Sequence, residues 1–374
     1  MASMRKRLLI LGSVPPPVNG ATIYFSTILK TKVAEDFDII LLDLKFAKTI
    51  GDYGHFSLIK IMLLINYCWQ LCFILATKRI DLVYAHISYN RISFVKDIIL
   101  MAISRLFGKR VVVGILGIGL ERLYQSSGRF MQRFILWGIG LNEIYITPSM
   151  KMYEQHYSRF VPLEKVRCVP FGIYTGANSS TRKLLDISDP VRVVYYSHFI
   201  KSKGIDDVLA AVPLVLQKNP HVNFLFVGSW DNEAHKNEVM SVVENDTTGI
   251  KNNVEFSGLV TGESAKACLQ ESDIFILPTY FESEGLPLSI LEAMSYGCAI
   301  ITTDHAGISV AVEDGVNGLI CRPKTPTDLA LKIIRLVEDR QLLLFLQENS
   351  LRIFHESFTA ERFGDRLDDV LKSL

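Results

Sequence analysis

The sequence lacks the groupings of cysteine and histidine that build disulfide frameworks or hold structural metal ions. Its six cysteines are scattered along 374 residues, with no Cys-x2-Cys pair and no histidine cluster beside them. This pattern excludes a zinc site of the usual spacing and indicates a reduced, cytosolic chain. An Asp-x-Asp pair at Asp36 and Asp38 precedes a predicted strand, so we do not expect it to bind a catalytic metal ion.

Signals for export, for repeats and for nucleic-acid binding are also missing. The apolar run at 8–11 follows a basic start but is too short for the central segment of a signal peptide, and it predicts a first strand instead. No internal repeat, low-complexity segment or nucleic-acid motif stands out. A chain of 374 residues without these features is expected to form two domains of about 150 to 200 residues each.

The net charge of +1 hides a strong asymmetry between the two halves of the chain. Residues 1–185 hold 24 Lys or Arg against 11 Asp or Glu, a balance of +13, whereas residues 186–374 hold 16 against 28, a balance of −12. A basic N-terminal half suits an anionic membrane surface or a phosphorylated acceptor. The alternative is a solvated surface whose charge is merely uneven.

Short runs rich in valine, isoleucine and tyrosine alternate with longer helical stretches, which is the pattern of parallel α/β units. Between 170 and 190, proline, glycine, serine and threonine interrupt this pattern and mark a domain boundary. Two doubly wound domains are expected to face each other through the carboxyl ends of their strands, so the cleft between them is the expected binding site. The predicted strands lie near 7–12, 38–42, 81–85, 110–115, 143–147, 166–169, 191–196, 223–228, 253–256, 273–277, 298–302 and 319–321.

Residues 56–77, FSLIKIMLLINYCWQLCFILAT, are unusually apolar for a helical stretch. The length approaches that of a membrane span, but Lys60 and two amide side chains interrupt it, and the next strand needs it as a crossover. We therefore expect a helix buried between the sheet and its neighbouring helices. The alternative is a partly exposed face that dips into the bilayer surface, helped by basic neighbours such as Lys48, Lys78 and Lys96.

The stretch 281–303, FESEGLPLSILEAMSYGCAIITT, carries the strongest functional pattern. Glu284 and Glu292 stand eight positions apart, Pro287 suits the first turn of a helix, and Gly297 ends the helix. Unpaired N–H groups and the positive dipole end at such a helix start bind phosphate. A nucleotide sugar matches this layout, with its sugar and diphosphate near the first carboxylate and its ribose near the second. The alternative is an ordinary amphipathic helix with two solvated glutamates.

This segment resembles the Glu-x7-Glu motif of the family 4 retaining glycosyltransferases, and the resemblance extends over nearly the whole chain. It implies the α/β GT-B fold, in which two Rossmann-like doubly wound parallel-sheet domains face each other across a cleft. It also implies transfer of a sugar, with retained configuration, from a nucleoside-diphosphate sugar to a lipid-linked or polysaccharide acceptor, without a metal or cofactor. The implied parts are an acceptor domain at 1–172, a linker at 173–190, a donor domain at 191–357 and a helix at 358–374 that crosses back to the first domain.

By the same resemblance, the segment SHFIKSKG at 197–204 contributes to the donor diphosphate site. Lys203 matches the basic residue that neutralises the diphosphate as its bond to the sugar breaks. His198 stands where the family usually has an arginine, and Lys201 is a candidate to supply the missing charge.

Two glycine-containing turns complete the donor site that the resemblance implies. Gly20, in PPPVNGATIYF at 15–25, matches a loop that closes over the diphosphate, although a plain strand-to-helix turn is an equal alternative. Gly258 and Leu259 end a strand where the family borders the nucleotide base. The implied site residues are Glu284 and Lys203 for catalysis and Gly20, His198, Lys203, Gly258, Leu259, Glu284, Gly285, Leu286, Pro287, Leu288 and Glu292 for donor binding.

The largest departure from the family lies in VVVGILGIGLERLY at 111–124, where Leu116 takes the place of a histidine that reaches the donor sugar. His86 or Glu121 would have to approach the same space. The departures at Leu116 and His198 leave open a catalytically weak nucleotide-sugar-binding subunit of a polysaccharide-assembly complex, and a sugar phosphorylase or epimerase is a less favoured alternative. The expected location is the cytoplasm, peripheral to the inner face of the cell membrane.

Overall fold

The computed structural model describes residues 5–46, 58–175, 189–246, 250–260, 263–282 and 284–374. The chain divides into two compact units, one formed by Met1–Gly172 with Ala360–Leu374 and the other by Ile173–Thr359. Most of the predicted linker at 173–190, and Lys48 among the basic neighbours of the apolar helix, lie outside the described residues.

The N-terminal unit is a parallel sheet with helices on both faces, in the strand order β2-β1-β3-β4-β5-β6 within the described ranges. Valine, isoleucine and leucine fill its strands because both faces of such a sheet are covered. Its elements are β1 Arg7–Gly12, α1 Gly20–Ile28, α2 Lys32–Asp36, β2 Asp38–Asp43, α3 Leu58–Thr77, β3 Leu82–His86, α4 Arg91–Leu106, β4 Arg110–Gly114, α5 Leu120–Gln125, α6 Arg129–Gly140, β5 Ile144–Thr147, α7 Met150–His156 and β6 Val166–Cys168.

The C-terminal unit repeats this architecture, with the strand order β12-β11-β10-β7-β8-β9 in the part of the chain that is described. Its strands β10 and β11 are entirely buried. Its elements are β7 Arg192–Tyr196, α8 Ile205–Leu216, β8 Asn223–Val227, α9 Glu233–Glu244, β9 Val254–Gly258, α10 Glu263–Gln270, β10 Ile274–Leu277, α11 Leu288–Ser295, β11 Ala299–Thr302, β12 Gly318–Ile320, α12 Pro326–Glu338 and α13 Arg340–Ser357.

The predicted α/β fold of two doubly wound parallel sheets is confirmed. Each predicted strand is present, and no strand end differs from its predicted position by more than two residues. The agreement has a physical reason. Parallel strands buried on both faces need a continuous run of β-branched and aromatic side chains, and the turns on either side need polar residues, glycine or proline.

The expectation that the apolar helix is buried is wrong. Helix α3 buries only Tyr67, Leu71 and Leu75, and about 11% of its most apolar 18-residue window lies inside the structure. Among the described residues it is the one helix long and apolar enough to cross a membrane. The error arose because apolar side chains occur on every side of α3, and its few polar residues do not form a polar face that marks the exposed side.

The last helix, α14 Ala360–Lys372, belongs to the N-terminal unit and packs beside α2. Lys372 joins them because its Nζ lies 2.5 Å from Asp36 and 2.7 Å from Asp368 of its own helix. On the apolar side, the rings of Phe363, Phe171 and Tyr24 pack with centroids 5.0 to 5.4 Å apart. The final residues of the chain are therefore part of the first core.

In each sheet the strand order reverses beside the first strand, at β1/β3 in one unit and at β7/β10 in the other. At such a switch point the connections leave toward opposite faces of the sheet, so the chain opens a crevice at the carboxyl ends of the two strands. In the C-terminal unit, the segments that leave this crevice begin at Ser197 and Pro278. These segments carry Lys203 and Glu284.

We predict that Gly228→Ala lowers the free energy of unfolding by about 2 to 3 kcal/mol. A Cβ atom at this position would lie 1.9 Å from the carbonyl oxygen of Ser197, which is backbone and has no room to yield. Urea denaturation of the full chain measures the effect. Gly140→Ala is the control, because nothing lies within 4 Å of its Cβ position. Equal stability of the two variants would show that the strand end at Gly228 is not tightly packed.

Candidate active site

The segment after β7 turns sharply and presents Lys203 at the crevice. Residues Lys201–Lys203 form a single 3-10 turn, which ends at Gly204 in the left-handed region with φ of 84°. A side chain at this glycine would bring its Cβ within 2.6 Å of the Pro278 carbonyl oxygen. Glycine is therefore needed here both for the backbone angle and for the close approach of the segment after β10.

Hydrogen bonds fasten the segment after β10 to its neighbours. The Tyr280 amide donates to the Ser202 carbonyl oxygen at 2.8 Å, which ties the segment to the lysine turn. The buried Thr303 hydroxyl donates to the Thr279 carbonyl oxygen at 2.5 Å. The His305 ring, through Nε2, bonds the Phe281 carbonyl oxygen at 2.8 Å. Side chains that follow β11 thus hold the segment that delivers Glu284.

Lys203 and Glu284 form a close ion pair at the switch point. The Lys203 Nζ lies 2.5 Å from Glu284 Oε2, and the side chains are only 14% and 9% exposed. Two further groups surround the pair: the Thr279 hydroxyl lies 3.1 Å from the same carboxylate oxygen, and the Phe281 ring lies 5.1 Å from the ammonium group. Charges that are largely removed from water interact strongly. A diphosphate bound here would therefore lie beside a cation that is already held in position.

The glycine-leucine-proline segment leads from Glu284 into α11. The Gly285 carbonyl oxygen accepts a hydrogen bond from the Gly307 amide at 3.1 Å, so the backbone is fixed before the helix begins. Pro287 is the N-cap residue, and α11 begins at Leu288. The expectation that Pro287 lies in the first turn is therefore wrong by one position, since its ψ of 124° is extended. The first backbone N–H groups of α11 have no hydrogen-bond partner within the helix, because no helical carbonyl group precedes them by one turn.

Glu292 lies in the middle of α11 and is half-buried. Burial raises the pKa of its carboxyl group to about 7, since removal of water penalises the charged form. Burial raises the pKa of Tyr196, the last residue of β7, to about 12, and the nearby charge of Glu292 contributes to this rise. A ligand that donates hydrogen bonds to this carboxylate would replace the lost water.

His198 and Lys201 do not form a pair of free cations. The exposed His198 bonds the Ser229 hydroxyl through Nδ1 at 2.8 Å. Its pKa is lowered, first by the partial loss of water around the ring and then by the charge of Lys203, so the neutral form is favoured. The Lys201 ammonium lies 3.3 Å from Glu238 and 3.8 Å from Asp206 at the surface. Lys203 is therefore the cation that the fold directs toward Glu284.

The other predicted donor contacts are Gly258 and Leu259 in the C-terminal unit and Gly20 in the N-terminal unit. Gly258 ends β9 with φ of 71°, its carbonyl oxygen accepts from the Gly228 amide at 2.9 Å, and Leu259 after it is exposed. Gly20, which the resemblance assigned to a loop, lies in the N-terminal unit as the first residue of α1. Asn19 caps that helix by accepting from the Thr22 amide at 3.0 Å. No atom lies within 4 Å of a Cβ built on Gly20.

The residues considered in place of a histidine at Leu116 occupy different environments. His86, at the end of β3, has its Nδ1 buried and without a hydrogen-bond partner, and burial lowers its pKa. Glu121 is engaged on the surface of the N-terminal unit, where its Oε1 lies 3.2 Å from Arg159. Of the two, His86 is the residue that the fold holds neutral at the carboxyl end of a strand.

Three residues of the crevice were not predicted from the sequence as site residues. Thr279 and Phe281 contact the ion pair, and the buried Tyr195 lies with its hydroxyl 3.3 Å from the His198 carbonyl oxygen and 3.4 Å from that of Lys203. A signal for Thr279 was present, because it is a polar residue two positions after the carboxyl end of a fully buried strand. Tyr195 gave no such signal, since it resembles any aromatic core residue.

Within the described residues, no group of three or more His, Cys, Asp or Glu is placed to hold a metal ion. The Asp-x-Asp pair is engaged with cations of the N-terminal unit. Asp36 lies 2.5 Å from Lys372, and Asp38 lies 2.6 Å from Arg7.

We predict strong energetic coupling between Lys203 and Glu284 in a double-mutant cycle with Lys203→Met and Glu284→Gln. Each single variant leaves a largely buried group without its partner and should cost about 2 to 3 kcal/mol, while the double variant should cost at least about 1 kcal/mol less than their sum. Urea denaturation gives the free energies.

The Lys266–Glu263 pair is the matched control for this cycle. Its atoms are also 2.5 Å apart, but the side chains are 35% and 88% exposed. Because water screens exposed charges, Lys266→Met and Glu263→Gln should couple by less than about 0.5 kcal/mol. Equal coupling in the two cycles would mean that burial adds nothing to the Lys203 pair.

We predict that Glu292→Gln becomes more stable relative to the wild type as the pH rises from 4.5 to 8. In the folded chain the pKa of Glu292 is raised to about 7 from its ordinary 4.5. Between these values the folded chain holds a proton that the unfolded chain has released, so wild-type stability falls with pH through this window. The relative gain of the variant should reach about 1 to 2 kcal/mol. Urea midpoints at several pH values measure it, and a pH-independent difference would contradict the burial of this carboxyl group.

Residues 178–352 match the family of glycosyl transferases group 1. The chain is 27% identical over 264 residues to the N,N'-diacetylbacillosaminyl-diphospho-undecaprenol alpha-1,3-N-acetylgalactosaminyltransferase of Campylobacter jejuni, a match that covers 68% of this chain and 65% of that enzyme. With other curated relatives the match covers less of their length, down to 41%.

Solved structures of similar fold cover almost the whole chain. Sucrose-phosphate synthase from Thermosynechococcus elongatus gives a TM-score of 0.73 at 17% identity and covers 98% of this chain and 99% of its own. The HepE protein of Anabaena, solved in complex with UDP-glucose, gives 0.70 at 18% identity and covers 98% and 100%. The chain therefore has the two-domain GT-B fold, and its residues 178–352 are similar to the glycosyl transferases group 1 family.

Proposed function

We propose that this protein transfers a sugar from a nucleoside-diphosphate donor to a lipid-linked or polysaccharide acceptor, with retention of configuration at the sugar. The observation that carries the proposal is the Lys203–Glu284 pair, which lies at the switch point of the C-terminal sheet with the start of α11 directly after it. A cation, a helix start and a carboxylate at one crevice suit a phosphorylated sugar, because the first two attract phosphate and the third accepts hydrogen bonds from hydroxyl groups.

The donor diphosphate would lie between Lys203 and the amides at the start of α11. In this arrangement the Lys203 ammonium and the amides of Gly285, Leu286 and Leu288 stabilise the negative charge of the diphosphate. Pro287 sets the direction of the backbone. Glu284 would contact the sugar hydroxyls, and Glu292 would accept hydrogen bonds from the ribose. Gly258 and Leu259 would border the base through main-chain contacts.

In the transfer itself, the bond between the anomeric carbon and the diphosphate oxygen breaks while the acceptor oxygen bonds to the same face of that carbon. Negative charge grows on the leaving diphosphate, where Lys203 stabilises it. The diphosphate is the base that takes the acceptor proton, so no covalent enzyme intermediate is required. Glu284, held by Lys203 and Thr279, supports the positive charge that develops at the anomeric carbon.

A lipid-linked acceptor is supported by three observations. The relative from Campylobacter jejuni has a diphospho-undecaprenol substrate in its name. The first 185 residues carry a charge balance of +13, which suits a phosphorylated acceptor and an anionic membrane. The N-terminal unit also exposes an apolar helix. We therefore place the protein at the inner face of the cell membrane as a peripheral protein.

A second candidate is a nucleotide-sugar-binding subunit that does not transfer the sugar. Leu116 favours it, because the resemblance to family 4 leads one to expect a histidine that reaches the donor sugar. The lowered pKa of His198 also favours it, since a neutral imidazole neutralises less phosphate charge than an arginine. Such a subunit would bind the donor but leave it intact.

We predict that the full chain binds one of UDP, GDP and ADP selectively, and that Lys203→Met and Glu292→Ala each weaken binding by about tenfold to a hundredfold. Each substitution removes a hydrogen bond to a charged group, worth about 1.5 to 3 kcal/mol. Isothermal titration calorimetry gives the dissociation constants. Lys251→Ala and Glu338→Ala are the controls, since both residues are exposed on the same unit.

The absence of binding by all three nucleotides and their sugar conjugates, with the fold intact by circular dichroism, would contradict the proposal. Binding that Lys203→Met and Glu292→Ala leave unchanged would contradict the site. Consumption of the bound sugar nucleotide in the presence of a polyprenyl-phosphate acceptor separates the two candidates. A bound donor that is never consumed supports the binding subunit.

A further inference from the structure

A stripe of large apolar side chains runs along the outward face of α3. Leu58, Met62, Ile65, Trp69 and Phe73 recur at intervals of three or four residues, so they lie on one side of the helix. Met62, Ile65 and Trp69 are 70%, 64% and 73% exposed. The helix buries only its opposite side, through Tyr67, Leu71 and Leu75. We call the five exposed residues the α3 stripe.

The same helix layer exposes further aromatic residues on α6. The connections from β2 to β3, β3 to β4 and β4 to β5 all advance in one direction along the sheet, so right-handed crossovers place α3, α4 and α6 on the same face. Helix α4 packs against both of the others. On α6, Phe130 and Trp137 are 86% and 52% exposed. The exposed apolar surface therefore belongs to one layer of the N-terminal unit.

The topology excludes a membrane span for α3. Strands β2 and β3, which precede and follow this helix, both pair with β1 in one sheet. A helix that crossed a bilayer would place these strands on opposite sides of it and break the sheet. An apolar face on a helix that cannot span is instead suited to lie in the plane of the interface, where tryptophan side chains are favoured.

Charge around the stripe identifies the kind of partner. Residues 58–141 hold 11 Lys or Arg against 3 Asp or Glu, a balance of +8. Exposed cations stand near the helix ends of this layer, at Lys78 after α3 and at Arg129 and Arg133 on α6. Two copies that met through this face would bring like charges together, which opposes self-association. An anionic lipid surface complements both the charge and the apolar stripe.

We propose that the α3 stripe, together with the exposed face of α6, docks the protein in the plane of a bilayer that contains anionic lipid. The stripe enters the boundary between headgroups and acyl chains, and the basic residues of the layer contact lipid phosphates. This inference rests on the proposed function and adds to it the surface that holds the protein beside a lipid-linked acceptor. Lipid binding itself requires neither donor nor acceptor.

The test is sedimentation of the full chain with vesicles of phosphatidylcholine and phosphatidylglycerol in a 3:1 ratio, compared with phosphatidylcholine alone. The wild type should pellet with the anionic vesicles, and raised salt should release part of it. The double variant Ile65→Glu/Trp69→Glu should lower the vesicle partition coefficient at least tenfold. Both side chains point to solvent, so the fold should survive the change.

Leu331→Glu/Phe345→Glu is the matched control, since it places two acidic residues at exposed apolar positions of the C-terminal unit. This control should pellet like the wild type. Equal losses in both double variants would overturn the proposal, because added negative charge anywhere would then explain the result. Failure of the wild type to bind anionic vesicles would also overturn it.

Two further measurements separate the remaining outcomes. Analytical ultracentrifugation without lipid reports self-association, and a wild-type dimer that Ile65→Glu/Trp69→Glu dissociates would assign the stripe to a second copy and overturn the proposal. Calorimetry with the nucleotide that the wild type binds tests the donor site in the same variant. If the variant loses vesicle binding and keeps its nucleotide affinity, the docking surface is supported. If the wild type binds no nucleotide at all, that result contradicts the proposed function alone.

Discussion

The C-terminal unit depends on one constraint, the close approach of two chain segments at the switch point of a parallel sheet. Gly204 lies so near Pro278 that no larger residue fits, and this contact brings Lys203 to within 2.5 Å of Glu284. The pair is largely removed from water, so each charge needs the other to offset its lost solvation. The ion pair thereby fixes the lysine side chain at the crevice, so less conformational entropy is lost when an anion binds.

The two carboxylates of the motif experience different environments in spite of their closeness in sequence. Glu284 has a cation and a hydroxyl group as partners, whereas burial without a cation raises the pKa of Glu292 to about 7. A ligand that bridges the two would meet one carboxylate that is paired with a cation and another whose pKa lies near neutral pH. This difference suits Glu284 to charge stabilisation and Glu292 to hydrogen bonds with hydroxyl groups.

The two units also differ in the surface that they offer. The N-terminal unit carries most of the basic residues and an exposed apolar helix, α3, while the acidic residues dominate the second half of the chain. A division of this kind lets one unit meet an anionic surface while the other binds a small anion at a local cationic site. Because the proposed donor is itself negative, the acidic character of the second unit would make Lys203 more important to its binding.

The sequence by itself determined the two parallel sheets, because strands buried on both faces need continuous runs such as VVV at 111–113 and IFIL at 274–277. It also indicated Glu284 and the helix start, through the spacing of Glu284 and Glu292 around Gly285 and Pro287, and it indicated Lys203 through the resemblance to family 4. Tertiary structure alone decided the rest. The Lys203–Glu284 contact joins residues 81 positions apart, which no local pattern encodes. The exposure of α3 was equally hidden, because a helix with apolar side chains on every side and few polar ones gives no sign of which face its neighbours leave uncovered.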